Sequence, residues 1–353
     1  MQEPHSFLIV ALRRIGDVLL TTPLIHSVRQ RYPDAHIALL VFKGTGAILE
    51  GNTDISRVIE VPEKMKWPEI KAFWREHGRQ FDWAISTQSG DRPTLLAILA
   101  GRKRAAFIPP EAGKAWWRKW LIQRPVVWDE TPRHVVERYL TLAQQVGASP
   151  VARLVPPRRL DFALAERLPE RDTSKPLAIC HPMPMYAYKR WPDLQWRLLI
   201  QKLLEAGYQV AVTGGPGDSE KQALQTLLGP LSGQVLNLAG RFRLAELSEV
   251  LRQASLFFGT DTSVTHLAAA NGIPVTAIFG PTDPRIWGPW PTSAADGVSP
   301  WKARGPHQVS GNITIIQDAL PCVPCQQEGC DRHLNSRSEC LQNITYDSVF
   351  PRS

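Results

Sequence analysis

Short apolar, β-rich runs alternate with helix-patterned stretches along this chain, and the alternation occurs twice. In the first half the runs are "FLIVAL" (7–12), "HIALLVF" (36–42), "VIEVP" (58–62), "WAIST" (83–87) and "RAAFIP" (104–109), with helix-like stretches at 17–31, 68–78 and 92–100 between them. In the second half they are "PLAICHP" (176–182), "QVAVTGG" (209–215), "VLNLAG" (235–240), "SLFFGT" (255–260) and "VTAIFGP" (275–281), separated by helical patterns at 192–206, 218–228, 244–254 and 262–271. Continuous rather than alternating apolar runs belong to strands buried on both faces, so each half predicts a mostly parallel sheet built from βαβ units. At 353 residues the chain is too long for one ordinary core and suits two domains of ~150 residues each. The segment 151–176, rich in Pro and Arg, precedes a fresh strand and reads as the linker, giving domains at 1–165 and 175–345. Two doubly wound domains in tandem place their strand C-terminal ends, the usual ligand edge, on either side of a cleft.

An apolar fraction of 43% and a charged fraction of 21% are those of a soluble globular protein. No apolar run reaches the ~20 residues that span a bilayer. The opening "MQEPHS" lacks the basic region of a signal peptide, so a cytoplasmic location is expected. The net charge of +8 is uneven: residues 1–160 carry +9 and the remainder −1. A basic first half fits an anionic partner, whether nucleic acid, an anionic lipid surface or a phosphorylated substrate, and equally a solubilising surface excess.

Tandem doubly wound domains suggest a nucleotide, yet the standard fingerprints are missing. The first strand runs into "RRIGD" rather than G-x-G-x-x-G, and no G-x-x-x-x-G-K-[ST] occurs. Polar loops at strand ends in the second half stand in their place. "HPMPMYAYKRWP" carries Lys189 and Arg190 just before a helix. "TGGPGDSEK" brings Asp218 and Glu220 to a helix start. "GTDTSVTHLAAA" sets Asp261, Thr262 and Ser263 where first-turn N–H groups and hydroxyls meet an anion. Taken singly, Asp218 and Thr262 are ordinary N-caps, Lys189 a solvated charge and His266 a packed histidine. Three such loops on one sheet edge reverse that balance and supply a cation, an acidic ribose acceptor and a helix N-terminus, the equipment for a nucleoside diphosphate.

Three blocks, "RRIGDVLLTTPLIHSVRQRYP", "KRWP" and "GTDTSVTHLAAANGIPVTAIFGPTDPRIWGPW", carry a resemblance to glycosyltransferase family 9, the lipopolysaccharide heptosyltransferases. The last block is most similar to their heptosyltransferase III branch, and the resemblance spans residues 7 to about 345. It implies an α/β GT-B fold, two Rossmann-like domains facing a cleft. It also implies an ADP-L-glycero-β-D-manno-heptose donor on the second domain, a lipid A–core acceptor on the first, inversion at the anomeric carbon and no catalytic metal. By position in the motifs, Asp17 is then the general base. Lys189 and the 261–263 turn hold pyrophosphate and heptose, Glu220 in preference to Asp218 reads the ribose, and His266 falls on the family's histidine. Arg13 and Arg14 are placed to meet acceptor carboxylates or phosphates, while Gly16 permits a tight turn. The loop "MPMYAY" departs from the family pattern by offering few phosphate donors.

The chemistry read from the residues agrees. Transfer needs one carboxylate to take the acceptor's proton, and the leaving pyrophosphate's charge can be met by lysine and a helix N-terminus in place of Mg²⁺. Inversion needs one flanking carboxylate, not the pair of a retaining hydrolase. Two other readings stand beside this one: a relative using another nucleotide sugar for another surface glycan, and a non-catalytic anion or nucleic-acid binder. The second lacks aromatic RNA-binding motifs, so nucleic acid is not an expected partner.

"KAWWRKWLIQR" (114–124) interleaves tryptophans with cations, Arg118 and Lys119 among them. That composition suits peripheral contact with the inner membrane and an anionic acceptor, and equally a packed helix with a basic rim. Four cysteines, Cys322, Cys325, Cys330 and Cys340, follow C-x₂-C-x₄-C-x₉-C. The spacing is compatible with a tetrahedral structural zinc, and also with free thiols or oxidised pairs.

Overall fold

The computed structural model describes residues 3–110 and 118–350, which fall into two compact units. The division lies between Pro157 and Arg158, with Ala295–Val298 grouped with the first unit.

The first unit holds six parallel strands: β1 (Ser6–Val10), β2 (His36–Phe42), β3 (Arg57–Val61), β4 (Phe81–Ser86), β5 (Gly101–Ile108) and β6 (Arg124–Val127). Their spatial order is β3-β2-β1-β4-β5-β6. This is the classic dinucleotide-fold order, which reverses direction between β1 and β4. Helices α1 (Ile15–Leu20), α2 (Thr22–Arg31), α3 (Trp67–His77), α4 (Asp91–Ala100), α5 (Arg118–Leu121) and α6 (Val135–Gln145) connect them. Because β1 lies at the sheet's centre, Phe7, Leu8, Ile9 and Val10 are all fully buried, as the uninterrupted run "FLIV" requires. One core joins Leu8 and Val10 to Ala38, Leu40, Ala84, Leu96 and Phe73.

The stretch 17–31, expected as one helix, is two. Pro23 has no N–H to offer the Leu19 carbonyl, and the Thr22 hydroxyl donates to it instead at 2.7 Å. The Thr21 hydroxyl likewise donates to the Asp17 carbonyl at 2.9 Å. The break keeps α1 short, so the residues after β1 are held by their own six-residue helix. Strand β6 and helix α6 are additions to the sequence reading. A four-residue strand with a proline is tolerated only at an edge, which is where β6 sits.

The second unit repeats the topology with β7 (Leu177–His181), β8 (Gln209–Val212), β9 (Leu236–Asn237), β10 (Leu256–Thr260), β11 (Val275–Phe279), β12 (His307–Ser310) and β13 (Ile313–Gln317). The order is β12-β13-β11-β10-β7-β8-β9, parallel except for the edge strand β12. Here the reversal lies between β7 and β10. The helices are α7 (Leu164–Arg167), α8 (Asp193–Glu205), α9 (Asp218–Leu228), α10 (Leu244–Leu251), α11 (Ser263–Ala270), α12 (Pro284–Trp287), α13 (Glu339–Asn343) and α14 (Tyr346–Val349). Trp191 and Trp196 are fully buried, edge to face at 4.9 Å, and the Trp191 indole N–H donates to the Ile344 carbonyl at 2.9 Å. That bond ties the C-terminal segment to the loop bearing Lys189. Among the described residues, no helix is long and apolar enough to cross a membrane.

Candidate active site

In open α/β sheets ligands sit beyond the strand C-termini at the point of reversal. In the first unit that point is fastened by side chains leaving β4. The Thr87 hydroxyl donates to the Val10 carbonyl at 3.0 Å. The Gln88 amide then satisfies both backbone groups of Leu12, accepting from its N–H at 3.0 Å and donating to its carbonyl at 3.0 Å. The chain therefore leaves β1 along a fixed path, and Arg13, Arg14 and Asp17 follow at once. Gly16 does not make the turn expected of it. It lies in the first turn of α1 and is absent from the positive-φ glycines, the reversal being made by extended backbone at Arg14.

Asp17 sits in the first turn of α1 with its side chain 14% exposed. Its Oδ1 is 3.9 Å from Arg13 Nη1 and, like Arg13 Nε, is buried without a hydrogen-bond partner among the described residues. Burial pushes this carboxyl above the ordinary carboxylate range. Arg13, Arg14 and the backbone N–H groups of Arg14 and Asp17 oppose the shift without cancelling it. A carboxylate near the surface, short of partners and made more basic by burial has the properties of a proton acceptor. Tyr139 of α6, 2% exposed, lies close enough to feel the Asp17 charge, and its hydroxyl hydrogen-bonds with Thr87. Its pKa is raised chiefly by burial. No sequence signal singled Tyr139 out, because α6 is an amphipathic helix whose inward face is otherwise ordinary core.

At the reversal point of the second sheet, the loop after β7 and the loop after β10 meet. Lys189 Nζ donates to Asp261 Oδ2 at 2.6 Å, and the Thr282 hydroxyl donates to the same oxygen at 2.7 Å. Burial would raise the Asp261 pKa, yet Lys189, His266 and the hydrogen bonds from Lys189 and Thr282 hold it below the usual carboxylate range. For Lys189, burial works to lower the pKa, and Asp261 outweighs it and raises it. His266, 5% exposed, is pushed down to about 4 by burial against the opposing pull of Asp261, so it is neutral at pH 7. Its Nδ1 is buried without a hydrogen-bond partner among the described residues. Thr262 caps α11, its hydroxyl accepting from the Thr265 N–H at 3.3 Å, and Ser263 opens the helix half-buried beside it. The sequence reading thus brought Lys189, Asp261, Thr262, Ser263 and His266 to one place. It missed Thr282, although "GPTDP" stood inside a quoted block.

Beyond the neighbouring strand β8, Glu220 Oε1 in α9 accepts from the Gly215 N–H at 2.6 Å, while Asp218 is exposed at the start of α9. The glycine doublet makes this approach possible. A Cβ on Gly215 would lie 2.7 Å from Glu220 Oε2, and one on Gly214 would lie 2.4 Å from Leu224 Cδ1. Gly215→Ala is therefore expected to displace the Glu220 carboxylate. If Glu220 holds the ribose of ADP, as the resemblance implies, ADP affinity should then fall by about tenfold, one lost charged hydrogen bond, with the melting temperature little changed. Isothermal titration with ADP checks this; unchanged affinity would separate Glu220 from nucleotide binding. His181 at the end of β7, also unanticipated, bonds Thr213 through Nδ1 at 3.0 Å and is held near pKa 4 by burial.

Other expected residues lie elsewhere. Arg118 is 5% exposed, and its guanidinium binds the Ser89 carbonyl and Asp91, so it is bound into the fold of the first unit rather than offered to an acceptor. Its long side chain reaches back to the start of α4, which a composition argument could not foresee. The Lys119 side chain and residues 111–117, including Trp116 and Trp117, lie outside the described residues. A structural zinc, one reading of the four clustered cysteines, gains no support among the described residues. Cys322 and Cys330 are exposed, Cys340 is buried in the second core, and all are free thiols. Burial, with smaller contributions from neighbouring thiols, pushes Cys340 up to about 12. Among the described residues, no group of three or more His, Cys, Asp or Glu is arranged to hold a metal ion. The fold does bring Cys322, Cys325 and Cys330 near enough to Cys340 to act on its thiol, while α13 carries Cys340 itself into the apolar core.

Comparison with known proteins bears on this arrangement. The sequence profile described as "Glycosyltransferase family 9 (heptosyltransferase)" matches residues 70–330. Lipopolysaccharide heptosyltransferase 3 of Escherichia coli K12 is 26% identical over 293 residues, covering 79% of this chain and 83% of the relative. Lipopolysaccharide heptosyltransferase 1 of Pseudomonas aeruginosa is 26% identical over 335 residues, covering 92% and 86%. Among solved structures, E. coli ADP-heptose lps heptosyltransferase II superposes with a TM-score of 0.72 at 20% identity, covering 98% of this chain and 96% of that one. E. coli heptosyltransferase WaaC with ADP gives 0.70 at 23% identity, covering 98% and 97%. The α/β architecture of two parallel-sheet units is the GT-B fold of those enzymes. The protein is a glycosyltransferase, and its chain belongs to glycosyltransferase family 9, the heptosyltransferases.

Proposed function

We propose that this protein transfers heptose, with inversion, from ADP-L-glycero-β-D-manno-heptose to the inner core of lipopolysaccharide at the cytoplasmic face of the inner membrane. The observation that carries the reading is the Lys189–Asp261–Thr282 cluster at the reversal point of the second sheet. It sets a half-buried cation beside the N-terminus of α11, where a pyrophosphate can be received. Relatives described as heptosyltransferases with ADP and with ADP-2-deoxy-2-fluoro heptose support the nucleotide assignment.

In this reading Asp17 removes the proton of the acceptor hydroxyl as that oxygen attacks the anomeric carbon. The bond from that carbon to the pyrophosphate oxygen breaks, and ADP leaves with the electron pair. Lys189 and the first-turn N–H groups of α11 meet the charge that develops, so no step calls for a divalent ion. Asp261 holds Lys189 in position, neutral His266 faces the sugar, and Glu220 takes the ribose hydroxyls. Arg13 and Arg14 face acidic groups of the acceptor. The domain assignment follows: residues 1–165 bind acceptor and 175–345 bind donor.

Mass spectrometry of core oligosaccharide from cells lacking this protein tests the reading. Loss of one heptose, restored by the gene, is expected, with transfer by the purified protein persisting in excess EDTA. An unchanged core refutes the assignment.

A further inference from the structure

Helix α3 of the first unit presents two tryptophans to solvent. Its inner side is ordinary: Phe73 is 5% and His77 4% exposed, their rings meeting edge to face at 5.0 Å. On the outer side, Trp67 is 76% and Trp74 55% exposed. Trp67, Lys71 and Trp74 fall at i, i+4 and i+7, one stripe along the helix, and Arg75 flanks it. The Trp74 indole lies beside Gly78 at the helix end, where a Cβ would come within 2.9 Å of its Cδ1. A core-packing role does not explain an indole three-quarters in water, and two on one stripe are not the scattered exposure of an ordinary surface.

The charge around this stripe favours one kind of partner. Residues 63–79 carry five cations against three carboxylates, Glu63, Glu69 and Glu76. Two of those carboxylates have local work: Glu69 caps the helix at the Lys66 N–H, and Glu76 pairs with Arg57 at 3.3 Å. The cations Lys71 and Arg75 appear in none of the ion pairs formed among the described residues and are not otherwise engaged. Indoles interleaved with lysine and arginine match the interface of an anionic bilayer, where the rings sit at headgroup level and the cations meet lipid phosphates.

We propose that the outer face of α3 docks this protein on an anionic lipid surface, with Trp67 and Trp74 in the headgroup layer and Lys71 and Arg75 on the phosphates. The proposal rests on the reading above that the acceptor is anchored in a membrane, since docking would bring the first unit to the acceptor. It adds α3 to the 114–124 segment, whose Trp120 is 80% exposed, as an expected membrane contact.

The test is co-sedimentation of the full chain with vesicles of phosphatidylethanolamine containing a quarter phosphatidylglycerol, and with phosphatidylcholine vesicles as the neutral control. The wild type should bind the anionic vesicles in preference. Trp67→Ala with Trp74→Ala, and separately Lys71→Glu with Arg75→Glu, should each weaken that binding by about tenfold or more. Transfer to a soluble, deacylated core oligosaccharide should stay within about twofold in both variants, showing that fold and site are intact. Wild-type protein that ignores anionic vesicles, or variants that bind them as well as wild type, overturns the proposal. So does protein that leaves vesicles alone while its α3 captures a protein partner. Absence of transfer to the soluble acceptor in the wild type would instead sink the functional reading, leaving the vesicle result to decide docking by itself.

Discussion

Asp17→Asn is expected to lower the turnover of sugar transfer by about 10³-fold, within the range that general-base catalysis contributes, while ADP affinity stays unchanged. The asparagine keeps the shape of the side chain and can still accept hydrogen bonds, but it cannot take a proton. Because Asp17 stands after β1 and the proposed nucleotide elements stand in the other unit, the loss should appear in turnover and not in ADP titration. The same variant should be the more thermostable. Burial raises the folded-state pKa of Asp17, so ionisation at neutral pH costs the native state more than the unfolded chain. A raised carboxyl contributes stability below its unfolded pKa and loses it as pH rises through the folded value. Above the folded value that cost is carried in full, and asparagine removes it. A lower melting temperature for the variant, or retained turnover, would show that Asp17 is a structural cap. The wild-type rate should fall with acid at a pH above the ordinary carboxylate range. Arg13→Gln should move that limb still higher, since the Arg13 charge is the largest influence opposing the burial shift.

Lys189→Met is the second large effect, and it acts on stability and binding together. Asp261 is 8% exposed in its side chain and owes its ionised state to Lys189, with help from the Thr282 hydrogen bond. Removing the lysine leaves a buried carboxylate short of its counter-charge, a change that costs ~3–5 kcal/mol in a fully buried pair. Lys189 retains 22% exposure, so the lower end of that range applies. ADP affinity should fall by about 100-fold, the size of a charged contact to phosphate left unmade. Lys189→Met with Asp261→Asn should recover most of the melting temperature, because it removes the orphaned charge, and none of the ADP affinity. Recovery of both would mean that the pair is purely structural. Thermal melting and ADP titration on the wild type and these two variants separate the outcomes.

Much of the scaffold was legible before any coordinates. Apolar runs such as "HIALLVF" and the 218–228 helix fell where they were read, because burial on both faces and 3.6-residue periodicity leave local marks. The marks failed where structure is short or set by an edge. Strand β6 carries a proline that a central strand would forbid, and α1 separates from α2 through one missing N–H, answered by a neighbouring hydroxyl. Strand-end chemistry was legible for the same reason as the strands: Lys189, Asp261 and Asp17 follow runs that the sequence already marked.

Partnership was a different matter. Residue type and spacing could nominate Arg118 as an acceptor cation and four cysteines as metal ligands, yet neither fixes which way a side chain turns. The fold folds Arg118 back onto Asp91 and sends Cys340 into a core. It also draws Thr282 onto Asp261 from 21 residues away and sets Tyr139 beside the Thr87 that fastens β1. By itself the sequence determined two doubly wound units and which strand ends bear polar chemistry, because hydrophobic periodicity and loop composition are properties of adjacent residues. Only the tertiary structure decided the basicity of Asp17, the pairing of Lys189 and the exposure of the α3 tryptophans. Those depend on burial and on neighbours distant in the chain, and neither is written in local spacing.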